Sequence, residues 1–158
     1  MAIREIRKFE DEMLRKKCRP VAEITDRIRM ILDDMAETMY AEQGGGLAGS
    51  QVGILRRLVV IDVGNGLKKL VNPEIVEQEG EHLCEEGCLS FPDQWGKVKR
   101  PERVLVKALD ENGKEMTLEG TGLLAQCLCH EIDHLDGIVF GDKVVEWVEE
   151  ADPEQEES

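Results

Sequence analysis

The 158-residue sequence contains no apolar run long enough to cross a bilayer, which takes about 20 such residues. Its amino-terminal stretch, MAIREIRKFEDEMLRKK, is charged from Arg4 onward and has no apolar core of the kind that directs secretion. Basic side chains are scarce: 20 Lys and Arg stand against 34 Asp and Glu, a formal charge of −14. That balance argues against DNA, RNA or an anionic membrane as partner. Disulfides are also not expected. Five cysteines (Cys18, Cys84, Cys88, Cys127, Cys129) without a secretion signal favour reduced thiols or metal ligands. The glycine-rich segment GGGLAGSQ, residues 44–51, lacks the Lys-Ser/Thr pair of a phosphate loop and follows a helical pattern rather than a strand. These absences point to a cytoplasmic protein.

What is present suffices for one domain with a real core, since 41% of the residues are hydrophobic. We expect that domain over 1–148 and a disordered acidic tail over 149–158, where acids dominate and no apolar periodicity survives. Residues 3–20 begin with a short apolar segment and continue as a charged piece of helical character. Thr25 is a natural N-cap for a helix from about Asp26 to Tyr40. Ile28, Ile31, Leu32, Met35 and Met39 form its buried stripe. Strands are expected over 58–63, 69–76, 104–109 and 114–119, with Gly64-Asn65-Gly66 and Asn112-Gly113 as turns. The acidic stretch 77–86 suits an exposed hairpin or loop. The fold class is α+β: early helices, mostly antiparallel strands and one late central helix.

That late helix carries the chemistry. Within LLAQCLCHEIDHLDG, residues 123–137, His130, Glu131 and His134 form an H-E-x-x-H array. Two imidazoles four residues apart share one helix face and can reach one metal ion. Glu131, turned about 100° from His130, is placed to address a metal-bound water instead. The flanking Leu and Ile residues indicate a buried helix, where unpaired His and Glu would be costly. Cys88, in EGCLS, is the natural third ligand. A closed four-ligand zinc site of Cys84, Cys88, His130 and His134 is the alternative, and it would leave Glu131 no water to activate. Gln51 offers a side-chain amide to a developing oxyanion.

Three motifs in one order, GGGLAGSQ, EGCLS and CHEIDHLDG, resemble those of peptide deformylase, with VNPEI and FPDQ between them. The resemblance implies a small α+β domain with antiparallel sheets around the H-E-x-x-H helix. It implies removal of the N-formyl group from the initiator methionine of nascent chains by attack of a metal-bound hydroxide. Cys88, His130 and His134 look like the metal ligands, for one Fe²⁺ per chain with Zn²⁺ or Ni²⁺ as substitutes. Glu131 resembles the catalytic acid–base, and Gln51 with the backbone N–H of Leu89 the oxyanion hole. Gly46 matches a glycine that pairs with the extended substrate. Glu86, Leu123 and Cys127, with His130, fall where the family lines its methionine pocket. Arg100 matches an arginine that pairs with Glu86. The implied partners are N-formyl-methionyl peptides and, transiently, the ribosome, with neither DNA nor membrane.

The sequence departs from the family pattern at several positions. Cys129 stands where Gln is usual before the first His, removing an amide that could orient a ligand. Gly45 and Gly49 replace bulkier residues and would loosen the first motif. Gln126 lies at a usually apolar pocket position, and Trp95 where some members carry Arg; both bear on preference beyond methionine. Two rivals share the motifs: an H-E-x-x-H metallopeptidase, which would want a ligand downstream of His134, and a weakened relative that only binds peptides.

Overall fold

Two apolar patterns of different period meet on one sheet. A computed structural model describes residues 2–148; the acidic tail expected over 149–158 lies outside them. The first helix, α1 (Asp26–Ala41), is capped by Thr25, whose hydroxyl accepts from the Ile28 N–H at 3.3 Å. Ile31, Leu32, Met35, Ala36 and Met39 bury its inner face. The strands β1 (Gly46–Ala48), β2 (Leu58–Ile61), β3 (Lys68–Glu79), β6 (Arg103–Leu109) and β7 (Glu115–Thr121) form one antiparallel sheet in the order β1-β2-β3-β6-β7.

Strand β2 shows how both faces of this sheet are used. Its four residues, LVVI, are wholly buried. Alternation sends Leu58 and Val60 to the α1 side and Val59 and Ile61 to the other. That other face receives α2 (Gly122–Leu135) through Leu124, Ala125, Leu128, Ile132 and Leu135. The helix with the H-E-x-x-H array is therefore packed on the sheet along much of its length. Its carboxyl end is held by Arg57, whose guanidinium donates to the Leu135 carbonyl at 3.1 Å and pairs with Asp136 at 3.0 Å. A cation there satisfies carbonyls that the helix leaves without partners.

A second, three-stranded antiparallel sheet has the order β4-β5-β8, from β4 (His82–Cys88), β5 (Phe91–Arg100) and β8 (Val144–Val148). It closes over α2's ligand-bearing face: β4 meets the helix through Glu86 on His130, and β5 through Arg100 on Asp133. Among the described residues no helix is long and apolar enough to cross a membrane.

Several expectations change. The charged piece before Pro20 is not an α-helix. It makes a single 3₁₀ turn at Glu12–Arg15, while the Ala2 and Arg4 amides donate to the Asp34 carboxylate and the Thr38 hydroxyl, holding the start of the chain against α1. The α+β domain thus has one early α-helix. The strand expected over 69–76 runs on to Glu79 despite Pro73, because a register shift between Val71 and Glu74 spans Asn72-Pro73 and spares the ladder a missing donor. Asn72 sits at φ 53° and its amide exchanges two hydrogen bonds with the Val21 backbone. The acidic stretch 77–86 is neither hairpin nor loop: β3 and β4 follow one another across Gly80-Glu81 but belong to different sheets, so the chain crosses there from one sheet to the other. Strands β5 and β8 were not expected at all, and residues 46–48 of the glycine-rich segment are strand rather than loop.

Candidate metal centre

Cys88 ends β4, and His130 and His134 lie one turn apart on α2, so the three-stranded sheet and the helix bring the three donors together. One ligand atom from each lies within 4.8 Å of the others, and the Cys88 sulfur is 3.3 Å from His134 Nε2. Both imidazoles are buried, at 6% and 0% exposure. Burial depresses the His134 pKa well below its ordinary value, which keeps its lone pair available. One thiol and two imidazoles at this spacing, with no fourth protein donor in the cluster among the described residues, fit a divalent ion with an open position. Cys84, the alternative thiol, is not in the cluster; its sulfur faces His82 Nε2 at 3.3 Å on β4. The five cysteines are all free.

Glu86 does more here than line a pocket. It accepts from His130 Nδ1, and Arg100 grips it with two bonds, Nε to Oε2 at 3.0 Å and Nη2 to Oε1 at 2.5 Å. Burial pushes the Glu86 carboxyl up, but the bonds from His130 and Arg100 outweigh it and hold its pKa at about 2. An ionised carboxylate can only accept, so His130 Nδ1 must carry a proton, which leaves Nε2 as the one ring nitrogen able to offer a lone pair to a metal. Arg100 in turn reaches Asp133 on α2 at 2.8 Å, and Lys143 reaches the same carboxylate at 2.9 Å. This run of alternating charge ties β4 and β5 to the helix. Asp133 escaped the sequence reading, although its place three residues after His130 puts it on a neighbouring face.

Glu131 is 4% exposed, and its Oε1 has no hydrogen-bond partner among the described residues. Burial raises its pKa to about 7. Its other oxygen lies against Gly46: a Cβ there would come within 2.7 Å of Glu131 Oε2 and 2.8 Å of Cys127 Sγ. Gly46 also occupies the edge strand of its sheet. The Gly45 carbonyl accepts from the Asp62 N–H, so the ladder alternation turns the Gly46 N–H and C=O toward the open edge.

Gln51 is buried beside Cys88, with Nε2 3.1 Å from Ser90 Oγ and 3.5 Å from the Cys88 sulfur. Its carbonyl accepts from the Ala48 N–H at 3.0 Å, which fixes which end of the amide faces the site. Leu89 follows Cys88 in the two-residue turn into β5 and packs over Gly44. Leu123, 60% exposed, and Cys127 line the same cleft of about 630 Å³ as Glu86, His130 and Glu131. Burial raises the Cys127 thiol well above its ordinary value, which suits a wall more than a ligand.

The departures find places too. Cys129 turns into the core against the sheet, and burial lifts its thiol to about 11. Gln126 ties α2 to β4 by donating to the Glu85 carbonyl at 2.9 Å. Gly49 is not slack: a Cβ there would meet the Ile54 and Arg56 carbonyls at 2.6 and 2.7 Å. Phe140, which the sequence did not single out, lies 6.0 Å from the His130 ring and links Phe91 to Trp147.

Comparison with known proteins agrees along the whole chain. The family described as Polypeptide deformylase matches residues 3–150. The peptide deformylase of Thermoanaerobacter pseudethanolicus is 59% identical over 155 residues, covering 98% of each chain. That of Acetivibrio thermocellus is also 59% identical over 155 residues, covering 98% of this chain and 91% of its own. The crystal structure of peptide deformylase from Thermotoga maritima superposes with a TM-score of 0.89 at 39% identity, covering 91% of this chain and 99% of that one. A peptide deformylase from Synechococcus elongatus in complex with actinonin gives 0.86 at 42% identity, over 88% and 77%.

The Glu86 arrangement has a pH signature. Its folded pKa of about 2 lies below the ordinary 4.5. The stability it contributes is therefore present above about pH 4.5 and is lost as the pH falls toward 2. In the metal-free protein, Glu86→Gln is expected to flatten unfolding free energy against pH in that window by about one proton, read from urea titrations. An unchanged slope would contradict the assignment.

Proposed function

The chain belongs to the peptide deformylase family, metal-dependent hydrolases that remove the formyl group from N-terminal methionine, and we propose that Cys88, His130 and His134 hold its metal. Neither a metallopeptidase nor a binding-only relative is favoured by these likenesses. The observation that carries the assignment is the convergence of three donor atoms beside a buried carboxylate with an unpartnered oxygen. We propose one Fe²⁺ per chain, with Zn²⁺ or Ni²⁺ able to replace it. Bound there, the ion supplies the Lewis acidity that activates water and polarises the formyl carbonyl.

The chain's own residues do the rest. An N-formyl-methionyl peptide lies extended along the open edge of β1, its backbone pairing with Gly46. Its methionine side chain enters the cleft between Glu86, Leu123 and Cys127. Glu131 takes a proton from the attacking water and returns it to the leaving amine. A pKa of about 7 suits both directions of that transfer. Gln51 Nε2 and the Leu89 N–H donate to the oxygen on which negative charge develops. Glu86, fixed by Arg100, keeps His130 in the Nδ1–H tautomer throughout. The nascent chain as substrate implies a cytoplasmic setting and transient contact with the ribosome.

Two substitutions test these roles with formyl-Met-Ala-Ser, mass spectrometry and metal analysis. Glu131→Gln is expected to lower kcat by about 10²–10⁴-fold while metal content stays near one ion per chain. Wild-type turnover in that variant would remove Glu131 from the reaction. Gly46→Ala, which drives a methyl into Glu131 and Cys127, is expected to cost about 10²-fold in kcat/KM with metal retained.

A further inference from the structure

The two oxyanion donors come from separate elements. Gln51 lies in the 3₁₀ turn Gly49–Val52, and Leu89 in the turn between β4 and β5. A side-chain tie joins them, Gln51 Nε2 donating to Ser90 Oγ at 3.1 Å, which occupies one of the two hydrogens of that amide. The backbone of Arg7–Phe9 makes a second connection. The Arg7 N–H donates to the Gln51 carbonyl at 2.6 Å, and the Phe9 N–H to the Ser90 carbonyl at 2.9 Å. Residues two apart in an extended chain send their amides the same way, so one short stretch reaches both elements. Lys8, between them, places its ammonium 3.5 Å from the Leu89 carbonyl. The carbonyls of Leu89 and Ser90 are therefore both held from this segment, which restricts the torsions that aim the Leu89 N–H.

The segment is itself fixed at both ends. Upstream, Ala2 and Arg4 are bonded to Asp34 and Thr38, and Ile6 is buried with the apolar face of α1. Downstream, the Asp11 N–H donates to the Lys8 carbonyl at 2.8 Å, closing a turn, and Leu14 is buried. The side chains press on the same two elements as the amides. The Arg7 guanidinium lies against Gly53, which caps the turn of Gln51 and where a Cβ would come within 3.0 Å of Nη2. The Phe9 ring stacks on Phe91, the first residue of β5, at 5.6 Å between centroids. Gln51 and Ser90 are buried, so a carbonyl there that lost its donor would be left unpaired. Oxyanion donors act by being fixed before the charge develops, and a misplacement of about 1 Å can cost about 10²-fold.

We propose that Arg7 and Phe9 are positioning residues for the oxyanion hole, with the Phe9 N–H on the Ser90 carbonyl as the decisive contact. The proposal rests on the reading of Gln51 and Leu89 as the oxyanion donors. The start of the chain touches no reacting atom; it holds in register the two elements that do.

The test deletes one N–H. Phe9 is the second residue of the Lys8–Asp11 turn, a place proline favours, so Phe9→Pro removes the donor without opposing the backbone. Phe9→Ala keeps the donor and removes the ring. Activity is measured on formyl-Met-Ala-Ser, with folding checked by circular dichroism and one metal ion per chain verified. Phe9→Pro is expected to lower kcat about tenfold with KM within about twofold, and Phe9→Ala to lower it no more than about threefold. In a Gln51→Ala background the further loss from Phe9→Pro should be smaller, because both changes weaken one unit. If Phe9→Pro does not fold, the deciding protein is the full chain with an ester in place of the Lys8–Phe9 amide bond, joined from residues 1–17 and 18–158 at Cys18. It lacks the same N–H, keeps the ring, and is expected to show the same loss of kcat. Unchanged kcat in Phe9→Pro or in the ester chain, an equal loss in Phe9→Ala, a change in KM alone, or losses that multiply in full with Gln51→Ala would overturn the proposal. Full activity in Gln51→Ala, or no deformylation by the wild type, would instead overturn the reading on which it rests.

Discussion

Glu86 and Arg100 form an ion pair at 4% and 2% exposure, where two charges are expensive to keep out of water. They are retained in a geometry that satisfies both. Arg100 gives three donors to two carboxylates, Glu86 and Asp133, and Glu86 uses its remaining acceptor capacity on His130. Removing one partner of such a pair typically costs about 3–5 kcal/mol, because the other is stranded. What the arrangement secures is the orientation of one imidazole. With Nδ1 committed to a carboxylate that cannot donate, only Nε2 is left to converge with His134 and Cys88, and the three donors come from two separate elements, β4 and α2.

The surrounding fold can be understood as the support of that pair. Strands β4 and β5 carry Glu86 and Arg100, and α2 carries Asp133 and both histidines. The five-stranded sheet fixes α2 from behind through Leu128, Ile132 and Leu135. Aromatics are few, three Phe, two Trp and one Tyr, yet Phe9, Phe91, Phe140 and Trp147 form a continuous chain of ring contacts that passes 6.0 Å from His130. Rigid rings at that point leave the imidazole little room to turn.

Much of this was legible in the residues alone, for identifiable reasons. H-E-x-x-H fixes its own geometry, because helical spacing is the same wherever it occurs. LVVIDV and the stripe on α1 announce burial by composition and period. The strand at 91–100 was illegible because FPDQWGKVKR mixes Pro, Gly and charged residues and alternates weakly, so its partners make it a strand; VVEWV at 144–148 has β-prone residues but is only five residues long and runs into the acidic tail. Residues 3–20 look helical by charge but are captured by Asp34 and Thr38, contacts more than thirty residues distant. The resemblance located Glu86 at the pocket wall, whereas its grip on His130 became visible only when β4 and α2 were seen side by side. Gly49 was misjudged for a related reason: looseness is a property of isolated glycine, and here two backbone carbonyls press against it.

The function of this site depends on which atoms hold the ion. Anomalous diffraction at the metal edge, from crystals of the Fe²⁺-loaded protein kept anaerobic, would locate it directly. Density bonded to Cys88 Sγ, His130 Nε2 and His134 Nε2, with Glu86 still on His130 Nδ1 and Glu131 free of the metal, is the expected result. An ion held by Cys84 or Cys127, by His130 through Nδ1, or by Glu131 itself would contradict it.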